Sequence, residues 1–239
     1  MKVTLLGTGD AIGTPKIGCT CPVCTEARLA GRQRLRSATL IEIGDKNVLV
    51  DSGPDLRVQL IAAGAPQIDA VIWTHGHYDH FMGFGEFYRV QRIPPVYAAE
   101  ATLEYASSIF SFLRFESNAV SPYCPFDLFG ASVTLVPVNH PHMPTFGVRI
   151  EHEGAVLAFT SDTNASVPER SKKVLSGADL LVLDAIAPRG YTITKHMNYA
   201  DAVALAAELT PKTFRCTHTS HLMPWDTPHL AMDMETFDL

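Results

Sequence analysis

Seven consecutive residues, Thr74-His75-Gly76-His77-Tyr78-Asp79-His80, constrain this chain more than any other stretch. They set three imidazoles and a carboxylate within six positions, directly after the apolar run Ala70-Val71-Ile72-Trp73. In an extended chain, residues two apart point the same way, so His75 and His77 can grip one cation together. Asp79 and His80, past the expected turn, face a neighbouring one. Buried without a partner, each such group would cost about 1–3 kcal/mol, and the mixture of nitrogen and oxygen donors suits zinc, manganese or iron. The stretch reads as a metal site.

Read as His-x-His-x-Asp-His after a buried strand, the segment resembles the signature of the metallo-beta-lactamase fold superfamily of hydrolases. Further histidines and an aspartate follow in that family's order, each after an apolar strand-like run: His140 after 133–139, Asp162 after 158–161 and His218 after 214–217. The resemblance implies that His75, His77 and His140 hold one metal, that Asp79, His80 and His218 hold a second, and that Asp162 bridges them. It also implies that Asp51, which ends the run Asn47-Val48-Leu49-Val50, braces the histidine loop without touching metal. The implied fold is α/β, a four-layer αβ/βα sandwich with two mixed sheets face to face and the dinuclear site at one edge.

A chain of 239 residues can bury a large core, and residues 1–239 are expected to form one hydrolase domain. With 46% hydrophobic and 18% charged residues it is globular in composition, and no apolar run approaches the ~20 residues of a membrane span. The start, Met1 to Gly9, reaches glycine and threonine too early for a secretory apolar region; a cytoplasmic location is expected. A net charge of -6 argues against a broad nucleic-acid surface.

Five cysteines are an odd number, and three of them crowd into Cys19-Thr20-Cys21-Pro22-Val23-Cys24. That spacing can wrap one tetrahedral zinc, but a closed structural site needs a fourth ligand that the loop at 18–25 lacks. His221, three residues past His218, is the candidate; a zinc there would tie the N-terminal loop to the last ligand segment.

Elsewhere, residues 2–8 read as a first strand, and 38–44 with 47–51 as a hairpin turning at Gly44-Asp45-Lys46. A helix capped by Ser52 or Gly53 is expected to run to Gly64. Phe81 to Val90 is expected to open a helix over the site, Pro94 to Ala98 to be a strand, and residues 100–117 to be a helix. The loop 121–126 is placed over the metals. A second hairpin turns around Glu151 to Gly154, residues 166–173 suggest a helix, and Leu180 to Asp184 is a buried strand ending in a carboxylate. Asn198 caps a helix with Asp201 in its first turn, which sets His196 just outside that helix, facing the strand ends.

A dinuclear centre activates a bridging water and clamps the oxygens of an in-line displacement. Phosphodiester chemistry fits it, because two non-bridging oxygens can be held while a poor alkoxide leaving group needs a proton. His196, oriented by Asp184, is the candidate general acid, and the tRNA-processing branch of the superfamily has a comparable histidine with an acidic partner. The Cys-x-Cys-x-x-Cys loop, the Thr-His-x-Ser-His ending and the lack of a long tRNA-gripping insertion look most like the cyclic phosphodiesterases of the carbon-phosphorus lyase pathway. That branch implies two catalytic Mn2+ or Zn2+ ions, one structural Zn2+, a ribose cyclic phosphate as substrate, no membrane or nucleic-acid partner and a homodimer. The alternatives are an RNA-processing nuclease, a thioester or lactone hydrolase, and a non-hydrolytic accessory protein like that of pyrroloquinoline quinone biosynthesis.

Overall fold

Apolar residues run almost unbroken through the strands of this chain because both faces of each sheet are covered. The computed structural model describes all 239 residues. Its first half contributes β1 (Lys2–Gly7), α1 (Pro22–Ala30), β2 (Ala38–Ile43), β3 (Lys46–Val50), α2 (Leu56–Ala62), β4 (Ala70–Ile72), α3 (Tyr78–Phe81), β5 (Val96–Ala98), α4 (Glu100–Ile109) and β6 (Ser117–Ala119). The second half adds β7 (Phe126–Leu128), β8 (Ala131–Pro137), β9 (Phe146–His152), β10 (Ala155–Phe159), α5 (Glu169–Leu175), β11 (Leu180–Asp184), α6 (Tyr199–Leu209), β12 (Thr213–Thr217) and β13 (Glu235–Asp238). One sheet has the order β13-β1-β2-β3-β4-β5-β6 and the other β12-β11-β10-β9-β8-β7. Both are mixed: β3 to β6 and β10 to β12 pair in parallel, and the remaining pairs are antiparallel.

Alternation along the strands sorts the core into three layers. Val48 and Val50 of β3, Ile72 of β4, Leu157 and Phe159 of β10, and Leu180 and Val182 of β11 meet between the sheets. The residues between them point outward: Leu49 and Val71 pack under Leu56, Phe84 and Leu103, while Ala158 and Leu181 pack under Leu175, Leu205 and Leu209. Helix, sheet, sheet and helix therefore stack as four layers, the expected sandwich. No helix is long and apolar enough to cross a membrane.

Several boundaries differ from expectation. The segment after the histidine stretch is one turn of α-helix, α3, followed by a 3-10 stretch over Met82–Phe87. Gly83 explains the tightness there, since a Cβ on it would meet the Gly53 carbonyl at 1.9 Å. The helix expected over 100–117 ends at Ile109, and Ser117 starts an edge strand paired with β5. α2 starts at Leu56 without a side-chain cap, because the Asp55 carboxylate is engaged by Arg36 instead. α5 begins at Glu169, after Pro168. The loop 121–126 is tied to β8 and α5: the Tyr123 amide donates to the Leu135 carbonyl and its hydroxyl pairs with Ser171. The short strands β7 and β13 were not anticipated.

Candidate metal centres

Five polar residues of the site stand at or just beyond strand C-termini: Asp51 after β3, His75 after β4, Asp162 after β10, Asp184 at the end of β11 and His218 after β12. Ligand clefts form at such ends of parallel strands, where the backbone stops pairing and side chains can converge. Asp51, Ser161 and His218 carry φ values of 64°, 53° and 54°. Non-glycine residues rarely adopt this left-handed conformation, and it costs about 1 kcal/mol or more each. The turns re-aim the side chains inward.

Two donor sets result, His75, His77, His140 and Asp162, then Asp79, His80, Asp162 and His218, with the Asp162 carboxylate common to both. All but half-buried His77 are at most 4% exposed. In the first set His77 Nδ1 lies 3.1 Å from His75 Nε2 and 3.2 Å from His140 Nε2, and His75 Nε2 lies 3.5 Å from Asp162 Oδ2. In the second, Nε2 of His80 and of His218 each lie 3.3 Å from Asp79 Oδ2 and 3.4 Å from Asp162 Oδ2. These separations are close to the edges of a tetrahedron with arms of about 2.0–2.2 Å, the usual zinc–nitrogen and zinc–oxygen lengths. His80 Nε2 is buried with no hydrogen-bond partner in the protein. The residues fit a pair of divalent cations.

Outer partners hold the rings in the tautomers that this requires. Asp51 accepts hydrogen bonds from the Thr74 amide and hydroxyl, both at 2.9 Å, and from His80 Nδ1 at 2.7 Å. The same Thr74 oxygen lies 3.0 Å from His75 Nδ1. Because that hydroxyl donates to Asp51, it accepts from His75, and one carboxylate thus turns a ring of each set toward the centre. His140 Nδ1 donates to the Lys195 carbonyl at 2.9 Å. Thr74 was not foreseen; only its place before His75 marked it.

The two sets differ electrostatically. Burial lowers His75 and His77, and it lowers His140 to about 4. Burial would also lower His218 and His80, but the carboxylates around them prevail: Asp162, Asp79 and Asp184 raise His218 to about 9, and Asp162, Asp79 and Asp51 raise His80 well above its ordinary value. Burial opposes the ionisation of Asp79 and Asp162 too, yet the neighbouring imidazoles hold both below the carboxylate range. Without metal, protons on His80 and His218 supply the positive charge that a cation would bring.

His196 stands beside both sets. Its Nδ1 donates to Asp184 Oδ2 at 2.8 Å, and its ring stacks on His218 at 5.0 Å and lies 4.9 Å from His140. Asp184 is buried, and the Thr163 amide donates to the same oxygen at 3.0 Å. Asn198 caps α6 with a full capping box involving Asp201, which anchors the residues after His196. His142, two residues past His140, is exposed and takes no part. Asp10, unnoticed in the sequence, is buried near His218 and Asp79 and accepts from the Ile12 and Gly13 amides.

The cysteine loop forms a separate group with His221. Nδ1 of His221 is 3.5 Å from the sulfurs of both Cys19 and Cys21. The amides of Cys21, Cys24 and Lys16 point at the sulfurs of Cys19, Cys21 and Cys24 at 3.5, 3.5 and 3.3 Å. The Cys21 amide lowers the Cys19 thiol, whereas burial pushes the Cys24 thiol up to about 11; three sulfurs with one imidazole match the donor set of a closed zinc site.

Residues 46–219 match the model of the beta-lactamase superfamily domain, a span that excludes the cysteine loop. The octanoyltransferase of Porphyromonas gingivalis is 26% identical over 245 residues and covers 97% of this chain, which spans only 48% of that protein. Ribonuclease Z of Mycolicibacterium gilvum is 28% identical over 213 residues, 76% of this chain and 68% of its own. The crystal structure of a diphosphatase from the PhnP family superposes on 100% of this chain and 97% of its own, with a TM-score of 0.90 and 31% identity. Sequence span and whole-chain superposition agree with the two donor sets: the chain belongs to the metallo-beta-lactamase superfamily and, within it, to the PhnP family.

Proposed function

We propose that this protein is a metal-dependent phosphodiesterase acting on small substrates, and that it opens ribose cyclic phosphates to phosphomonoesters in the cytoplasm. The observation that carries the reading is His196, fixed by Asp184 at 2.8 Å and set against His140 and His218 of the two donor sets. With Nδ1 committed to a carboxylate, Nε2 is the atom left to exchange a proton with substrate. An alkoxide leaving group needs that proton; a thiolate leaving group does not, which weighs against thioester hydrolysis.

His75, His77 and His140 would hold one divalent ion and Asp79, His80 and His218 the other, with Asp162 shared; Mn2+ or Zn2+ suits these donors. Such ions supply Lewis acidity and a nucleophilic water near neutral pH. Asp51 and Thr74 keep the imidazoles turned inward, and Asp184 keeps the His196 ring upright. Cys19, Cys21, Cys24 and His221 would hold a structural Zn2+, a set of thiolates suited to a reducing compartment. The completeness of both donor sets favours an enzyme over an accessory protein, and a net charge of -6 favours a small substrate over RNA.

A second reading comes from the solved PhnP-family relative, which is a diphosphatase. A diphosphate diester also presents phosphorus with two non-bridging oxygens, so the same residues could serve it. The test is turnover of a ribose cyclic phosphate, a dinucleoside diphosphate and bis(p-nitrophenyl) phosphate by metal-stripped enzyme restored with Mn2+ or Zn2+. The His196→Ala variant is expected to lose about 10²–10⁴-fold on the ribose substrate and far less on the nitrophenyl ester, whose leaving group needs no proton. Cleavage of the diphosphate alone would select the second reading, and no turnover by metal-loaded protein would sink both.

A further inference from the structure

Three of the four buried imidazoles in the donor sets find a direct partner for the ring nitrogen that faces away from the centre: His80 on Asp51, His75 on Thr74 and His140 on the Lys195 carbonyl. His218 does not. Its Nε2 lies in the second donor set, so Nδ1 must carry the hydrogen, and metal-ligating histidines almost always donate that hydrogen to an acceptor. The nearest carboxylate oxygen, Asp184 Oδ1, is 3.8 Å away, beyond hydrogen-bond length. Neither atom has a partner in the protein, though Asp184 and His218 are 1% and 3% exposed. Left so, each would cost about 1–3 kcal/mol.

Both residues border a cavity of about 40 Å³ at the strand ends of the two sheets, against the second donor set. Its wall includes Ser37, Thr39, Ser161 and Thr217 together with His80 and Asp162 of the second donor set, whereas His75, His77, Asp79 and His140 do not border it. Two more residues on this wall carry a buried polar atom without a partner, His80 at Nε2, which belongs to the second donor set, and Ser161 at its hydroxyl. A water needs roughly 10–15 Å³ of such space and two to four polar partners, and this cavity has both.

We infer that a resident water is bound here by His218 Nδ1, Asp184 Oδ1 and Ser161 Oγ, and that Ser161 is a positioning residue acting through it. Asp184 then serves two rings at once: one oxygen takes the hydrogen of His196 directly, and the other takes that of His218 through the water. A ligand of the second donor set and the neighbouring acid are held by one carboxylate. Ser161, one residue before Asp162, is itself in the left-handed conformation, with a φ of 53°. The kinetic consequence rests on the reading of His196 as the acid; the water does not.

The test is a high-resolution crystal structure of the metal-loaded protein with a Ser161→Gly variant. Density for a solvent molecule within about 2.7–3.2 Å of all three atoms is expected. A direct His218–Asp184 hydrogen bond, or no solvent at that point, overturns the inference. Glycine accepts the left-handed turn at no steric cost, so Ser161→Gly should keep the melting temperature within about 2 °C. Its affinity for metal in the second set should fall about tenfold or more, with kcat reduced and KM unchanged. Unchanged metal affinity and kcat would remove Ser161 from the role. Ordered water in a protein that turns over no phosphodiester would leave this inference standing and sink the substrate reading alone.

Discussion

The donors of the first site arrive after four strands spread over both sheets, β4, β8, β10 and β12, whereas three of the four donors of the second crowd into six residues, Cys19 and Cys21 in the loop before α1 and Cys24 in its first turn, and only His221 is distant. The first site is buried almost completely and braced by carboxylates and carbonyls. The second is half-exposed, and its sulfurs are braced by the amides of the loop itself. The difference separates a centre built for chemistry from a fastening. Long-range convergence gives a buried, preorganised centre whose donors could serve two cations, while a local segment with one distant imidazole offers four donors that would saturate a single cation. The two are nonetheless joined, since His218 and His221 lie three residues apart after β12, and the Arg34 guanidinium grips the Ser220 and Met223 carbonyls between and beyond them.

If the donor sets share Asp162 as the geometry indicates, Asp162→Ala should be the most damaging change. Loss of metal from both sets and of at least about 10³-fold in turnover is expected, read by elemental analysis beside kinetics. Retention of one full equivalent in the catalytic centre would mean that the sets are independent. A second test separates the sets by pH. Burial holds His75, His77 and His140 deprotonated at neutral pH, so the first set should load there without proton release. Protons must leave His80 and His218, the latter titrating near 9, before the second set fills. Metal content of the catalytic centre should therefore rise from one to two equivalents between pH 7 and 9, with second-set affinity changing about tenfold per pH unit for each proton displaced. Simultaneous loading would contradict the electrostatic contrast.

The smallest effect should come from the fastening. Cys21→Ser is expected to lose the structural zinc and lower the melting temperature by several degrees, on the order of 2–4 °C per kcal/mol for a chain of this size, while both catalytic metals stay bound. Turnover should remain within about threefold. A fall as deep as that of Asp162→Ala would show that the loop holds His218 in place and is not merely attached beside it.

Much of the site was legible before any coordinate. The spacing of His75, His77, Asp79 and His80 pointed to a metal site, and the family resemblance it carries implied His140, Asp162 and His218; the fold does bring these donors together. His221 was found by elimination, as the fourth ligand that the cysteine loop lacked. Thr74, Ser161 and Asp10 were missed, because a threonine, a serine or a turn aspartate has no distinctive spacing. Their roles depend on which way a strand end turns. The helix expected from Phe81 to Val90 is a 3-10 stretch instead, and that over 100–117 forms only as far as Ile109 before an edge strand, because aromatic and apolar content serves those conformations equally well.

By itself the sequence determined the metal-binding character of the histidine stretch, because ligand chemistry is fixed by residue type and spacing; the remaining donors, their order and the layered class of fold came with the family resemblance that this stretch carries. Tertiary structure alone decided that Asp162 is shared between the sets, that Asp51 turns rings in both through Thr74, and that Asp184 lies between His196 and His218. Those facts are distances across two sheets, between residues up to 139 positions apart in the case of Asp79 and His218. The physical reason is convergence: side-chain identity is local, but a coordination shell exists only where separate strand ends meet.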